Sequence, residues 1–194
     1  MIGKAQDLTD DVFSQILGLI KPGMTELEIA LDTEFIGRKK GEGGAPFPFI
    51  VAGGKNSSVP HAVPGNYVLQ NGDMLMLDFG FRSGNYCSDM TRTVAIGEPS
   101  DKQNEVYDIV YRAQEAAFEK IRPGVVCSEV DVAARELIDA TEYAGLFGHG
   151  LGHGVGLEVH EKPYFSKTCD EKLEPAWFFR WSRVFISRAS LECG

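Results

Sequence analysis

The chain has 194 residues, 43% of them hydrophobic and 24% charged, with a net charge of −9 and a pI near 4.9. That mix describes one globular domain with a proper core and excludes disorder and fibres. The acidic balance argues against sequence-independent nucleic-acid binding, which needs a basic face to displace counterions. No run approaches the ~20 apolar residues of a membrane helix. The opening MIGKAQDLTDD lacks the basic-then-apolar layout of a signal peptide, so the expectation is a cytoplasmic protein with no membrane partner.

In chain order, Thr9 opens an amphipathic stretch, Asp10 to Ile20, that stops at Pro22-Gly23. Thr25 and Glu28 form a capping box, and Leu27, Leu31 and Phe35 follow at helical spacing up to Gly41. From Phe47 to Ala95, short apolar runs broken by Gly, Pro and Asn read as strands and turns. Ser100 with Gln103 caps a long helix running through Tyr111 and Phe118 to Ile121, and Ser128 with Asp131 caps another from Glu129 to about Tyr143. Two joints look alike: Ile20-Lys21-Pro22-Gly23 before Thr25-Glu26-Leu27-Glu28, and Ile121-Arg122-Pro123-Gly124 before Ser128-Glu129-Val130-Asp131. The pattern suggests an internal duplication into two α+β halves, although Pro-Gly plus a cap is also a common way to join helices.

Met74 to Phe81, Arg82-Ser83-Gly84-Asn85 and Tyr86 to Thr93 read as a hairpin. A turn centred between Ser83 and Gly84 puts Asp78 opposite Asp89, with Cβ atoms about 5 Å apart. Opposed like charges destabilise a strand pair, and a cation is the simplest compensation. A one-residue slip, or exposure of both groups, would remove that need. Farther on, Gly148 to Leu157 has glycine at every even position, which disfavours helix and places His149, Leu151, His153, Val155 and Leu157 on one face of an extended segment. At strand rise His149 and His153 lie ~13 Å apart, too far to share a metal without a bend, so one histidine can be a ligand while the other works on substrate. His160 follows, and His61 is the fourth histidine of the chain. The cysteines Cys87, Cys127, Cys169 and Cys193 are dispersed and read as reduced thiols.

Ser58 to Pro64, Leu77-Asp78-Phe79-Gly80, Ser88 to Thr93 and Gly148 to Pro163 resemble the pita-bread metallopeptidases, and among them the Xaa-Pro peptidases, aminopeptidase P and prolidase. The resemblance implies an α+β pita-bread (creatinase/aminopeptidase) fold with pseudo-twofold duplicated halves, the second incomplete. It also implies hydrolysis of the bond before proline in a peptide substrate. Asp78, Asp89 and His153 would bind two divalent metals, with Asp89 bridging. Manganese is the family's usual metal and suits an oxygen-rich site, while Co2+ or Zn2+ could bind the same ligands. Such a pair activates water and polarises the scissile carbonyl. His61, His149 and His160 would orient substrate and stabilise developing charge. A homodimer is left open. The alternatives are a methionine aminopeptidase-like specificity, which the Pro60-His61-Ala62-Val63-Pro64 context disfavours, and a non-catalytic pita-bread binding module.

The family also needs two glutamate ligands after the histidines, and Pro175 to Gly194 does not resemble that part of it. The tail holds both tryptophans, Trp177 and Trp181, together with Arg180, Arg183 and Arg188, and has no apolar periodicity. Read one nucleotide upstream, its codons can encode Gly-Met-Val-Phe-Ser-Val-Glu-Pro-Gly-Ile-Tyr-Leu-Pro-Gly-Lys-Phe-Gly-Val-Arg, which resembles the family's next segment and carries a Glu-Pro-Gly motif. The expectation is therefore a catalytic domain over 1–174 and an aberrant, frameshifted tail over 175–194. Loss of two ligands would impair metal binding and turnover.

Overall fold

The computed structural model describes residues 2–40, 44–175, 177 and 179–181. They form two compact units, one of Met1–Ser100 with Val155–Val159, the other of Asp101–Gly154 with His160–Gly194.

The first unit opens with α1 (Ile2–Leu17) and α2 (Glu26–Lys39). Strand β1 (Ile50–Gly53) leads into a short 3-10 turn, Gly54–Ser58, and then come β2 (Met74–Phe79), β3 (Arg82–Ser83), β4 (Tyr86–Cys87) and β5 (Met90–Ala95). Strands β1, β2 and β5 make an antiparallel sheet with β2 in the middle, while β3 and β4 pair separately. Val12, Ile16, Ile29, Val51, Leu75 and Leu77 close over the sheet with no exposed surface. The rings of Phe49, Phe79 and Phe81 meet at tilted and edge-on angles with centroids 5.4–6.1 Å apart. Each such side chain contributes about 1.5–3 kcal/mol by leaving water.

Helix α1 begins at Ile2 rather than after Thr9. Thr9 is fully buried inside the helix, where its hydroxyl donates to Ala5 O and lies 2.6 Å from Ser88 Oγ. A threonine that can satisfy its hydroxyl within the helix has no need to cap one. The capping box of Thr25 and Glu28 is present in both directions. The buried face of α2 is different from the expected one: Leu27, Leu31 and Phe35 are 42%, 56% and 57% exposed, whereas Glu26, Ile29, Thr33 and Gly37 face inward. Gly37 decides this, because a Cβ there would stand 2.1 Å from the Phe81 ring, so only glycine lets the helix approach the core at that point.

The second unit contains α3 (Asp101–Lys120), α4 (Cys127–Asp139), β6 (Gly152–Gly154), β7 (Glu161–Phe165) and β8 (Phe179–Trp181), the strands in the order β7-β6-β8. Ile109, Ala113 and Ala117 are the buried face of α3, small enough for a close approach to α4, while Tyr111 and Phe118 are exposed. The N-cap of α4 is Val126, with no side-chain cap bond, so Ser128 and Asp131 do not form the expected box.

Both units enter their second helix through the same pattern of backbone hydrogen bonds. In the first, Gly23 N bonds Leu69 O, Leu69 N bonds Met24 O, Glu26 N bonds Tyr67 O and Leu27 N bonds Gly65 O. In the second the partners are Gly124 N with Leu173 O, Leu173 N with Val125 O, Cys127 N with Glu171 O, and Ser128 N with Cys169 O. Gly23 and Gly124 have φ of 93° and 89°, the left-handed region that glycine occupies without steric cost. Thr25 thus corresponds to Val126, not to Ser128, and the sequence repeat runs through the two joints without a gap.

Candidate active site

Asp78 lies on the central strand β2, where it faces Thr91 of β5, not Asp89. The turn is centred on Gly84-Asn85, with Ser83 paired to Tyr86 and Gly84 at φ 59°, so the register differs by two from the expected one. An even shift preserves which face a side chain occupies. Asp89 lies just ahead of β5, two residues before Thr91, where continued alternation would put it on the side of Asp78. Both carboxylates are buried, Asp78 at 9% exposure and Asp89 at 7%. Thr91 Oγ1 donates to Asp78 Oδ1 over 3.0 Å and fixes its rotamer.

The path of the chain between the aspartates depends on two residues. A Cβ on Gly80 would lie 2.0 Å from Ser88 O, so only glycine permits the crossing there. Ser88 Oγ accepts from Phe81 N and donates to Phe81 O, fastening the crossing in place. Val155–Val159 belongs to this unit, where Cys87 N donates to Gly156 O over 2.8 Å.

The histidine segment of the second unit is not one continuous strand. Only Gly152–Gly154 pairs, with β7 on one side and β8 on the other, and the β7 register shifts between His153 and Gly154. The glycines serve as close-approach positions: a Cβ would lie 2.2 Å from Lys162 O at Gly154 and 2.8 Å from Phe165 O at Gly150. The shared face is accordingly broken, with Leu151 and His153 buried, His149 half-buried and Leu157 51% exposed.

Each of the two histidines has Nδ1 against the carbonyl of the next residue, His149 at 2.8 Å from Gly150 O and His153 at 3.0 Å from Gly154 O. A carbonyl only accepts, so Nδ1 carries the proton in both, and the Nε2 lone pair points away from the backbone. The rings of His153 and His160 meet with centroids 4.2 Å apart. His61 is exposed on the loop after the 3-10 turn.

Three functional supports were not read from the sequence. Thr91 orients Asp78. Glu26, 2% exposed, accepts from Gly53 N and Asn56 Nδ2 on one oxygen and from Gly65 N on the other, so it ties together both ends of the loop that carries His61. Asp131 and Arg135 form a buried pair in α4 that reaches the histidine segment. Their i, i+4 spacing on one helix face was the available signal.

The profile of metallopeptidase family M24 matches residues 1–181. The chain belongs to this family. It is 38% identical over 174 residues to the Xaa-Pro dipeptidase of Pyrococcus furiosus, covering 90% of this chain and 50% of that protein. Among solved structures, the Xaa-Pro dipeptidase from Bacillus anthracis aligns with a TM-score of 0.87 at 42% identity, over 90% of this chain and 49% of that one. An X-Pro aminopeptidase from Thermotoga maritima aligns at 0.86 and 40% identity, over 93% and 55%. The fold is therefore the pita-bread fold, and the chain spans about half the length of the curated relatives it matches.

M24 enzymes use divalent metals. Among the described residues no group of three or more His, Cys, Asp and Glu side chains forms a metal-binding cluster. The donors that are present still fit such an ion in kind, since buried carboxylate oxygens and an imidazole with a proton-free Nε2 are hard and borderline ligands.

Proposed function

We propose that the protein to which this chain belongs hydrolyses the peptide bond preceding proline, with two divalent ions, most simply manganese. Asp78, Asp89 and His153 would hold the ions. The observation that carries the reading is that Asp78 on β2 and Asp89 just ahead of β5 are both buried in a chain of a metallopeptidase family, since buried carboxylate oxygens suit a divalent ion. When bound, such ions polarise a carbonyl and lower the pKa of water. In this chain Thr91 holds Asp78 in its rotamer, and the Nδ1 bond of His153 aims its Nε2 lone pair. His61, His149 and His160 would orient the peptide and stabilise charge on the scissile carbonyl as it develops. The proposed setting is the cytoplasm.

We also propose that a single-base deletion near the codons of Pro175 and Ala176 generated the tail. The backbone of Phe179–Trp181 pairs with β6 beside His153, where the shifted frame would supply Phe-Ser-Val and then glutamate. Strand pairing uses backbone groups and tolerates the changed side chains. Residues 176, 178 and 182–194 of the tail lie outside the described residues. Sequencing the coding DNA across Glu174 to Ala176 tests this. A shifted frame that does not spell the peptide above sinks the proposal. If it does spell it, the restored protein should release proline from Xaa-Pro dipeptides with Mn2+ and lose that activity on chelation.

A further inference from the structure

We infer that Asp131 and Arg135 act together as a positioning clamp that fixes His149 in its Nδ1-protonated form, presenting Nε2 as an acceptor. The role builds on the reading of His149 as a substrate-facing group. The pair sits on α4 with side chains 0% and 9% exposed, and Arg135 meets Asp131 through two bonds, Nε to Oδ2 at 2.9 Å and Nη2 to Oδ1 at 3.1 Å. Two further donors reach the loop beyond α4: Nη1 to Phe147 O at 2.6 Å and Nη2 to His149 O at 2.9 Å. Asp131 Oδ1 accepts from Leu151 N at 3.2 Å, a proton shared with Phe165 O at 2.8 Å. The backbone is thus gripped at residues 147, 149 and 151.

A planar trans peptide turns this grip into control of the imidazole. Leu151 N–H and Gly150 C=O belong to one rigid plane and point in opposite directions. Holding the N–H on Asp131 and Phe165 therefore aims Gly150 O the other way, and that oxygen is the one 2.8 Å from His149 Nδ1. Arg135 fixes the preceding plane through His149 O. It also stacks on the Phe147 ring, 4.0 Å from the centroid, and that ring meets the His149 imidazole edge-on at 4.9 Å. Lysine could keep the charge opposite Asp131 but has no planar fork to serve a carboxylate and two carbonyls at once. Arg135 therefore joins Asp131 on its own helix to the backbone carbonyls of the loop beyond α4.

The test reads the tautomer directly and does not depend on turnover. The full chain, 15N-labelled at histidine, is examined near pH 8 by long-range proton–nitrogen correlation, with the His149 signals assigned by their loss in His149→Gln. Wild type should show a pyrrole-like Nδ1 and a pyridine-like Nε2 at His149. Arg135→Lys should move both nitrogens toward the averaged values of an unconstrained imidazole. Ile138→Val, which trims the buried face of the same helix without touching the clamp, should leave the His149 pattern unchanged. If Arg135→Lys does not fold, Asp131→Asn serves instead, because it keeps an oxygen for Leu151 N but loses the charged fork. An unchanged tautomer in a folded clamp variant, or an equal change in Ile138→Val, overturns the inference. Because the reading is made on the metal-free chain, failure of Xaa-Pro cleavage would leave the result standing, and the reverse also holds.

Discussion

At the scale of the residue, burial turns ordinary side chains into specific devices. Asp78 on β2 and Asp89 just ahead of β5 are 9% and 7% exposed, and carboxylates so buried make hard oxygen ligands for a divalent ion. Asp89→Asn should therefore abolish any stabilisation by Mn2+ in urea unfolding. Undiminished stabilisation by Mn2+ in the variant would argue against Asp89 as a ligand. Tyr67 offers a second test. Burial, and then its bond to Asp73 Oδ2 at 2.9 Å, push its phenol up to about 12. Between the ordinary value of 10 and that one, the unfolded chain loses the proton and the folded chain keeps it, so stability is intact below pH 10 and falls as pH rises toward 12. Spectrophotometric titration should show one tyrosine ionising late, and Tyr67→Phe should remove that tyrosine and flatten the alkaline decline in melting temperature.

At the scale of the element, tertiary contacts decided which face of each helix turned inward. The stripe of Leu27, Leu31 and Phe35 follows helical periodicity, yet α2 buries Ile29, Thr33 and Gly37 because Phe81 fills the space beside Gly37. Helix propensity alone would have Gly37→Ala stabilise α2 by about 1 kcal/mol. The collision with Phe81 should reverse that sign and destabilise the protein by about 1–3 kcal/mol in denaturant unfolding. The two helix starts differ in the same way. Thr25→Ala removes a complete capping box and should cost about 1 kcal/mol. Ser128→Ala should stay within about 0.5 kcal/mol, since Ser128 lies inside α4 and caps nothing. Equal losses in the same unfolding series would restore the box read from the sequence. The hairpin illustrates how far alternation carries. The partner of Asp78 was not legible from the two-residue period, because Gly84-Asn85 sets the turn one position beyond Ser83-Gly84.

At the scale of the whole molecule, a metal that binds only the folded state raises stability by mass action, about 2.7 kcal/mol at a hundredfold excess over Kd. The frame-restored protein should show that rise in melting temperature with added Mn2+ and lose it with chelator, whereas the chain with its present tail should respond weakly or not at all. An equal response from both would mean that the tail glutamates are not ligands. By itself the sequence determined the M24 family, the mixed helix and sheet architecture and the duplicated Pro-Gly joints. These are properties of local motif, turn chemistry and period, which neighbouring residues fix. It could not determine the buried faces of α2 and α3, the start of α4, the break of the histidine strand at Gly154, or the reach of Arg135 to Phe147 and His149. Those depend on how closely a ring, a carbonyl or a backbone from far along the chain comes to a residue without a Cβ, or to a buried charge that must find acceptors, and only packing in three dimensions settles them.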